Sequence, residues 1–108
     1  MSVKASPNSE KGTAVITGAS SGIGKVYADR LAKRGYNLLL VARRGNRLIE
    51  LAQQVRNDQG VSAEILVADL GNPADLKKVA NTIANDSRIT MLVNNAGTSR
   101  MPLPSRFL

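Results

Sequence analysis

The sequence predicts an α/β fold in which a doubly wound parallel sheet has the strand order 3-2-1-4. Four short apolar runs alternate along the chain with three amphipathic segments, as is typical of parallel strands joined by helices. The second run contains the continuously apolar stretch LLLV, which is expected of a strand covered on both faces. Right-handed crossovers then place helices one and two on one face of the sheet and helix three on the other.

The four predicted strands correspond to the four apolar runs. They span Thr13–Thr17, Asn37–Ala42, residues 62–68 and Ile89–Asn94. With 108 residues, of which 43% are hydrophobic, the chain forms at most one domain around a single core.

Helices one and two are predicted from apolar residues that recur at helical spacing. Helix one spans residues 22–34 and stops at Gly35, whereas helix two spans residues 46–58 and is followed by Gly60. The predicted core stripes are Ile23, Val26, Tyr27 and Leu31 in helix one, and Leu48, Leu51, Ala52 and Val55 in helix two.

Helix three has the clearest start signal in the sequence. Asn72 is expected as its N-cap, Pro73 as its first residue, and Asp75 complements the helix dipole in the first turn. Its predicted core stripe is Leu76, Val79, Ala80 and Ile83.

Several classes of protein and site are excluded by the composition. The chain contains no cysteine and no histidine, so disulfides, thiolate sites and the commonest metal ligand are absent, and we predict no metal site. No apolar run approaches the roughly 18 residues of a membrane span. Residues 1–11 are polar and lack the apolar core of a signal peptide, so we predict a flexible N-terminus and a cytoplasmic protein.

The net charge of +7 is concentrated in one part of the chain. Between residues 25 and 47, Asp29 is the one acidic residue among seven basic ones. The seven are Lys25, Arg30, Lys33, Arg34, Arg43, Arg44 and Arg47. Three aromatic residues offer little for base stacking, so nucleic acid is not a predicted partner. A small polyanionic ligand and a solvated basic helix face both stay open as interpretations.

The stretch VITGASSGIGK joins the first strand to the first helix. Its glycines, Gly18, Gly22 and Gly24, allow a sharp turn, a close approach of the backbone to a ligand, and tight helix packing. The N–H groups at the helix N-terminus would face an anion, and the hydroxyls of Ser20 and Ser21 would add donors. Glycines also occur in ordinary loops between strands and helices, so the turn alone does not distinguish an anion-binding loop from an ordinary one.

Strand two ends in the stretch VARRGNR. A site that prefers NAD usually has a carboxylate at this place for the ribose 2′-hydroxyl, but here Ala42 is followed by Arg43 and Arg44. A guanidinium group binds a 2′-phosphate through charge-assisted hydrogen bonds of about 1.5–3 kcal/mol each. NADP(H) is therefore favoured over NAD(H), although two solvated arginines at a helix start are the alternative.

Two further motifs follow the third and fourth strands. Asp69 and Leu70 are placed to receive an adenine amino group and to pack against its ring, but a loop aspartate that turns its own backbone fits equally well. The stretch NNAG at residues 94–97 has small residues that would let a ribose or nicotinamide approach, and it also fits an ordinary turn.

Taken together, TGASSGIG, ARR, DL and NNAG resemble the motifs of the short-chain dehydrogenase/reductase family in order and spacing. The resemblance covers residues 12–97 and implies a Rossmann-like fold, an NAD(P)(H) cofactor, and hydride transfer between nicotinamide and an alcohol or carbonyl group. Asn94 is expected to tie the central strands together. The cofactor contacts that the resemblance implies are Gly18, Ser20, Ser21, Gly22, Ile23 and Gly24 at the pyrophosphate and nearby ribose, Arg43 at the 2′-phosphate, Asp69 and Leu70 at the adenine, and Asn95, Ala96 and Gly97 at the nicotinamide-side ribose.

The chain departs from the family after NNAG. The family's catalytic Asn, Ser and Tyr-x-x-x-Lys have no counterpart, and Tyr27, which we place on the buried stripe of helix one, is followed four residues later by Leu31. We therefore expect residues 12–97 to be a truncated cofactor-binding half-domain without catalytic activity, and residues 98–108 to be an irregular tail. The alternative is a non-enzymatic interaction module that associates through the exposed edge of strand four.

Overall fold

A computed structural model of the chain describes residues 11–95 and Phe107. In this part of the chain, four strands alternate with three helices. They are β1 (Thr13–Thr17), α1 (Gly22–Lys33), β2 (Asn37–Ala42), α2 (Gly45–Gln59), β3 (Ala63–Val67), α3 (Pro73–Asn85) and β4 (Ile89–Asn94). The predicted bounds of β1, β2 and β4 are confirmed, and β3 is one residue shorter at each end than predicted.

The strands form one parallel sheet in the order β3-β2-β1-β4, as predicted. At its carboxyl edge, Thr17 of β1 pairs with Val41 of β2 and with Asn94 of β4, and Ala42 pairs with Val67 of β3. Because all strands run the same way, the loops that follow β1, β2 and β3 meet at this edge. In parallel α/β sheets this edge is where ligands bind.

The core lies in two layers, one on each face of the sheet. Ile16 and Leu40 point toward α1 and α2, whereas Val15 and Val41 point toward α3. All four side chains are fully buried. The predicted division of the helices between the two faces is therefore confirmed.

The predicted core stripe of α1 is wrong for three of its four residues. Ile23, Val26 and Tyr27 are 64%, 50% and 44% exposed. The residues of α1 that face the sheet are Gly24, Ala28, Leu31 and Ala32. The prediction followed the largest apolar side chains, but this helix lies so close to the sheet that its contact face is made mostly of small residues.

Gly24 is the point of closest approach between α1 and the loop before it. A Cβ atom at this position would lie 2.4 Å from the carbonyl oxygen of Gly18 and 2.8 Å from the Cα atom of Ala19. No side chain fits at these distances, so a residue without a Cβ is required where the helix backbone meets the end of β1.

The other helix ends follow the sequence signals. The Asn72 side chain accepts hydrogen bonds from the N–H groups of Ala74 and Asp75 at 2.9 and 3.1 Å, as expected of the N-cap of α3. Gly35 follows α1 with a φ of 96°, and Gly60 caps α2 with a φ of 70°. None of the described helices is long and apolar enough to cross a membrane.

The turn before β4 is held by Asp86 and Arg88, at the amino edge of the sheet. The Arg88 Nη2 atom lies 2.8 Å from Asp86 Oδ2, and the hydrogen bonds and charge of this carboxylate raise the pKa of Arg88. The Arg88 carbonyl accepts a hydrogen bond from the Thr13 N–H group at 2.8 Å. This turn sets the start of β4 beside β1 and lies far from the carboxyl edge.

The Gly24→Ala variant should be less stable than the native chain by about 1–3 kcal/mol, because the added methyl group forces α1 away from the Gly18 carbonyl. Gly22→Ala is the matched control, since a Cβ there has no neighbour within 4 Å and the φ of Gly22 is not positive. Chemical denaturation of both variants measures the difference. Equal stability of the two variants would contradict the packing argument.

Candidate functional site

A cleft of about 440 Å³ opens at the carboxyl edge of the sheet. Three loops bound it: the glycine-rich loop after β1, the β2–α2 loop and the β3–α3 loop. Its lining residues are Gly18, Ser20, Ser21, Val41, Ala42, Arg43, Arg44, Arg47, Ala68, Asp69, Leu70 and Gly71. Three of the four sequence motifs, TGASSGIG, ARR and DL, thus contribute residues to one cleft.

The remaining predicted site residues are placed differently. Gly22, Ile23 and Gly24 form the first turn of α1, beside the cleft and not among its lining residues. Asn95 lies just beyond β4. The predicted contacts of Ala96 and Gly97 lie outside the described residues.

The glycine-rich loop turns off β1 at Gly18, whose φ of 66° is in the left-handed region that favours glycine. Ser21 is the N-cap of α1 and accepts a hydrogen bond from the Gly24 N–H group at 3.0 Å. Its hydroxyl hydrogen is donated to the Gly18 carbonyl at 3.0 Å. The N–H groups of Gly22 and Ile23 have no acceptor among the described residues, so they are donors available to an anion.

A cluster of three arginines lies at the start of α2. Arg43 precedes the helix, Arg44 is its N-cap residue without a side-chain cap, and Arg47 lies in the first turn. No acidic residue lies in that turn, and none of the three forms a salt bridge with a described carboxylate. Three cations at the positive end of a helix dipole repel one another and the helix, so a multiply charged anion in the cleft would be stabilised there.

Arg47 and Gly71 line the cleft but were not predicted as site residues. Arg47 was counted in the basic segment without a specific role. It lies three residues after Arg44, and this i, i+3 spacing on a helix is the signal that could have placed both on one side. Arg47 also lines a neighbouring cavity of about 220 Å³, together with Ser20 and Lys25. Arg47 therefore lies between the cleft and this second cavity.

Asp69 forms part of a tight turn after β3. Its Oδ1 atom accepts a hydrogen bond from the Gly71 N–H group at 2.9 Å, and its own N–H group donates to Asp75 Oδ2 at 2.8 Å. The backbone-turning role that the sequence left open is thus present. Asp69 is nevertheless exposed in the cleft wall, and Leu70 beside it packs against the core layer under α3.

The end of β4 is joined to the glycine-rich segment by two neighbouring asparagines. The hydroxyl of buried Thr17 donates to Asn94 Oδ1 at 3.0 Å, in agreement with the expectation that Asn94 ties the central strands. Asn95 Nδ2 donates to the Gly18 carbonyl at 3.1 Å and to Ser21 Oγ at 2.9 Å. The end of β4 is therefore part of the same hydrogen-bonded unit as the loop.

The sheet order, the glycine-rich turn and the cleft at the carboxyl edge define a Rossmann-type nucleotide-binding fold. Residues 12–107 match the short chain dehydrogenase family. The chain belongs to this family.

Known members share both sequence and structure with the chain. It is 39% identical over 93 residues to the very-long-chain 3-oxoacyl-CoA reductase of Kluyveromyces lactis, a match that covers 84% of this chain and 27% of that protein. A short-chain dehydrogenase from Sphingobium yanoikuyae, solved in complex with NADPH, is 53% identical with a TM-score of 0.78, over 81% of this chain and 34% of that one. L-sorbose reductase from Gluconobacter frateurii, complexed with NADPH and L-sorbose, is 39% identical with a TM-score of 0.72, over 81% of this chain and 34% of that one.

The matched region is a small part of each relative. The chain spans about a quarter of the curated reductase and about a third of the two solved chains. Both of these solved relatives are complexes with NADPH, a nicotinamide dinucleotide. The residues that match the family, 12–107, include the glycine-rich turn and the cleft.

Proposed function

We propose that residues 12–97 form the NADP(H)-binding part of a short-chain dehydrogenase/reductase-like oxidoreductase. The observation that carries this proposal is the cleft at the carboxyl edge, where the glycine-rich loop faces three arginines that have no described carboxylate partner. The NADPH complexes among the solved relatives support the same cofactor.

The pyrophosphate is assigned to the first turn of α1. The N–H groups of Gly22 and Ile23 have no described acceptor, and the positive end of the helix dipole favours an anion beside them. Gly22 leaves open space where a Cβ would otherwise stand, so a phosphate group can approach the backbone closely. Ser20 would add a hydroxyl donor from the cleft side of the loop.

The adenosine end is assigned to the cleft between β2 and β3. Ala42 ends β2 where a carboxylate would repel a 2′-phosphate, and Arg43 and Arg44 follow it at the cleft wall. Asp69 and Leu70 on the opposite wall would contact the adenine ring. This arrangement favours NADP(H) over NAD(H).

The Tyr-x-x-x-Lys pair that supplies the proton in the family has no counterpart in these 108 residues. Neither Tyr27 nor Tyr36 has a lysine four residues later, because Leu31 and Leu40 occupy those positions. Tyr27 is 44% exposed, so its predicted burial is wrong. It lies on α1 and is not among the residues that line the cleft. We propose that these 108 residues alone bind the cofactor without catalysing hydride transfer.

The Arg43→Ala variant should lose about ten- to a hundredfold in affinity for NADPH and little for NADH, because one charge-assisted hydrogen bond to the 2′-phosphate is removed. Titration of each nucleotide into the native chain and the variant measures the change. Arg30→Ala is the matched control, since it removes the same charge from an exposed site on α1 outside the cleft. An equal loss in both variants would assign the effect to general charge, and an unchanged preference would show that Arg43 does not bind the phosphate.

The purified chain should bind NADPH without oxidising it. Incubation with NADPH and a panel of ketones and aldehydes, followed through the absorbance of the reduced nicotinamide, measures turnover. We expect a rate equal to that of NADPH alone, because the family's Tyr-x-x-x-Lys pair has no counterpart in these 108 residues. A protein-dependent rate that survives repurification would contradict the proposed inactivity.

A second candidate function is association through the β4 edge. Among the described strands β4 pairs with β1 alone, so it forms one edge of the described sheet. Met91 and Val93 are half-buried against the layer under α1, where Ile23 and Tyr27 are exposed. This edge and the apolar face beside it are suited to pair with a second polypeptide.

If the β4 edge mediates association, the native chain should sediment as concentration-dependent oligomers. The Met91→Lys variant should then shift toward monomer, because a charged side chain at a strand edge opposes pairing. Thr82→Lys on α3 is the matched control for added charge away from this edge. A native chain that stays monomeric at all concentrations, with cooperative unfolding, would reject this second function.

A further inference from the structure

Asn95 connects the end of β4 with the glycine-rich loop, across 77 residues of sequence. Its Nδ2 atom lies 3.1 Å from the Gly18 carbonyl oxygen and 2.9 Å from Ser21 Oγ. The amide nitrogen therefore donates to two acceptors of the same loop. The orientation of the amide follows from chemistry, since a carbonyl oxygen accepts hydrogen bonds and does not donate them.

The Gly18 carbonyl is the centre of this network. It accepts hydrogen bonds from the Ser21 N–H group at 3.1 Å, from the Ser21 hydroxyl at 3.0 Å and from Asn95 Nδ2. Three donors hold this carbonyl in one orientation, in a residue whose φ of 66° is far from the regular helical and strand regions. The turn off β1 is thus fixed from two directions, by its own loop and by β4.

Ser21 connects the Gly18 carbonyl with the first turn of α1. Its hydroxyl donates to Gly18 and accepts hydrogen bonds from the Gly24 N–H group and from Asn95. The Ser21 cap determines where α1 begins, and therefore where the N–H groups of Gly22 and Ile23 point. Asn95 stabilises this cap through its hydrogen bond to Ser21 Oγ.

We propose that Asn95 is a positioning residue for the dinucleotide pyrophosphate, which holds the glycine-rich loop in its binding conformation before the ligand arrives. The inference rests on the proposed cofactor function and deepens it. It gives the Asn95 side chain a role distinct from the ribose contact that the family resemblance implies, because its Nδ2 atom is hydrogen-bonded to the glycine-rich loop.

The expected effect follows from preorganisation. Without the two hydrogen bonds from Asn95, the loop samples more conformations, and a ligand that binds must order it at a cost in affinity. The pyrophosphate is common to NADPH and NADH, so both affinities should fall by the same factor. The Arg43→Ala variant differs, because it should lose affinity for NADPH and little affinity for NADH.

The test compares nucleotide affinities of the full chain and its Asn95→Ala variant. We expect affinities for NADPH and NADH that are both reduced about tenfold, with their ratio unchanged. Asn81→Ala is the matched control, because Asn81 is an exposed asparagine on α3 outside the cleft and should keep native affinities. Native affinities in Asn95→Ala, or a loss confined to NADPH, would overturn the proposal.

A double-mutant cycle with Ser21→Ala tests the route of the effect. Because Asn95 and Ser21 act through one network, the double variant should lose less than the product of the two single losses. Independent, multiplicative losses would show that Asn95 does not act through the Ser21 cap.

Amide hydrogen exchange separates this inference from the proposed function. In Asn95→Ala the N–H groups of Ser21 and Gly24, which are hydrogen-bonded within the loop, should exchange faster, while that of Leu40 in the sheet core should not change. If the native chain binds neither nucleotide, the proposed function fails. Unchanged exchange at Ser21 and Gly24 would overturn the positioning role of Asn95 independently of any ligand. Faster exchange across the whole sheet would show a general structural role instead and would also overturn the proposal.

Discussion

The close contact between Gly24 and the Gly18 carbonyl is the constraint on which the rest of the structure depends. It sets the distance of α1 from the sheet, and that distance decides which residues of the helix face the core. It also brings the N-terminus of α1 to the carboxyl edge of β1, where backbone N–H groups are presented to the solvent. The packing of the core and the geometry of the site are thus two results of one contact.

Much of the fold could be predicted from the sequence because the strands and caps carry local signals. The apolar runs of β1, β2 and β4, and the Asn72–Pro73 start of α3, coincide with the observed elements. The rotation of α1 could not be predicted, because hydrophobic periodicity weighs Ile23 and Tyr27 above Gly24 and Ala28. Because the α1 backbone lies so close to the backbone of Gly18 and Ala19, small residues face the sheet instead. This distance between helix and loop cannot be read from the sequence.

The site was predictable to a similar extent and for a similar reason. Glycines, arginines and an aspartate at strand ends indicate that these residues meet at one edge of the sheet, and the cleft contains them. The part that required the structure is the hydrogen-bond network around the Gly18 carbonyl, since it joins residues that are 77 positions apart. The role of Arg47 likewise depends on how α2 is rotated, which its sequence position alone does not decide.

The central position of β1 has a consequence for how the chain folds. β1 pairs on one side with β2, which follows it closely, and on the other side with β4, which is the last strand described. Contacts between residues this far apart close a large loop, so they tend to form late and slowly. The β1–β2 pair with α1 can form early from local contacts, whereas the Asn94 and Asn95 hydrogen bonds need nearly the whole chain. The glycine-rich loop therefore reaches its final geometry only when β4 docks beside β1, which makes completion of this turn a late event in folding.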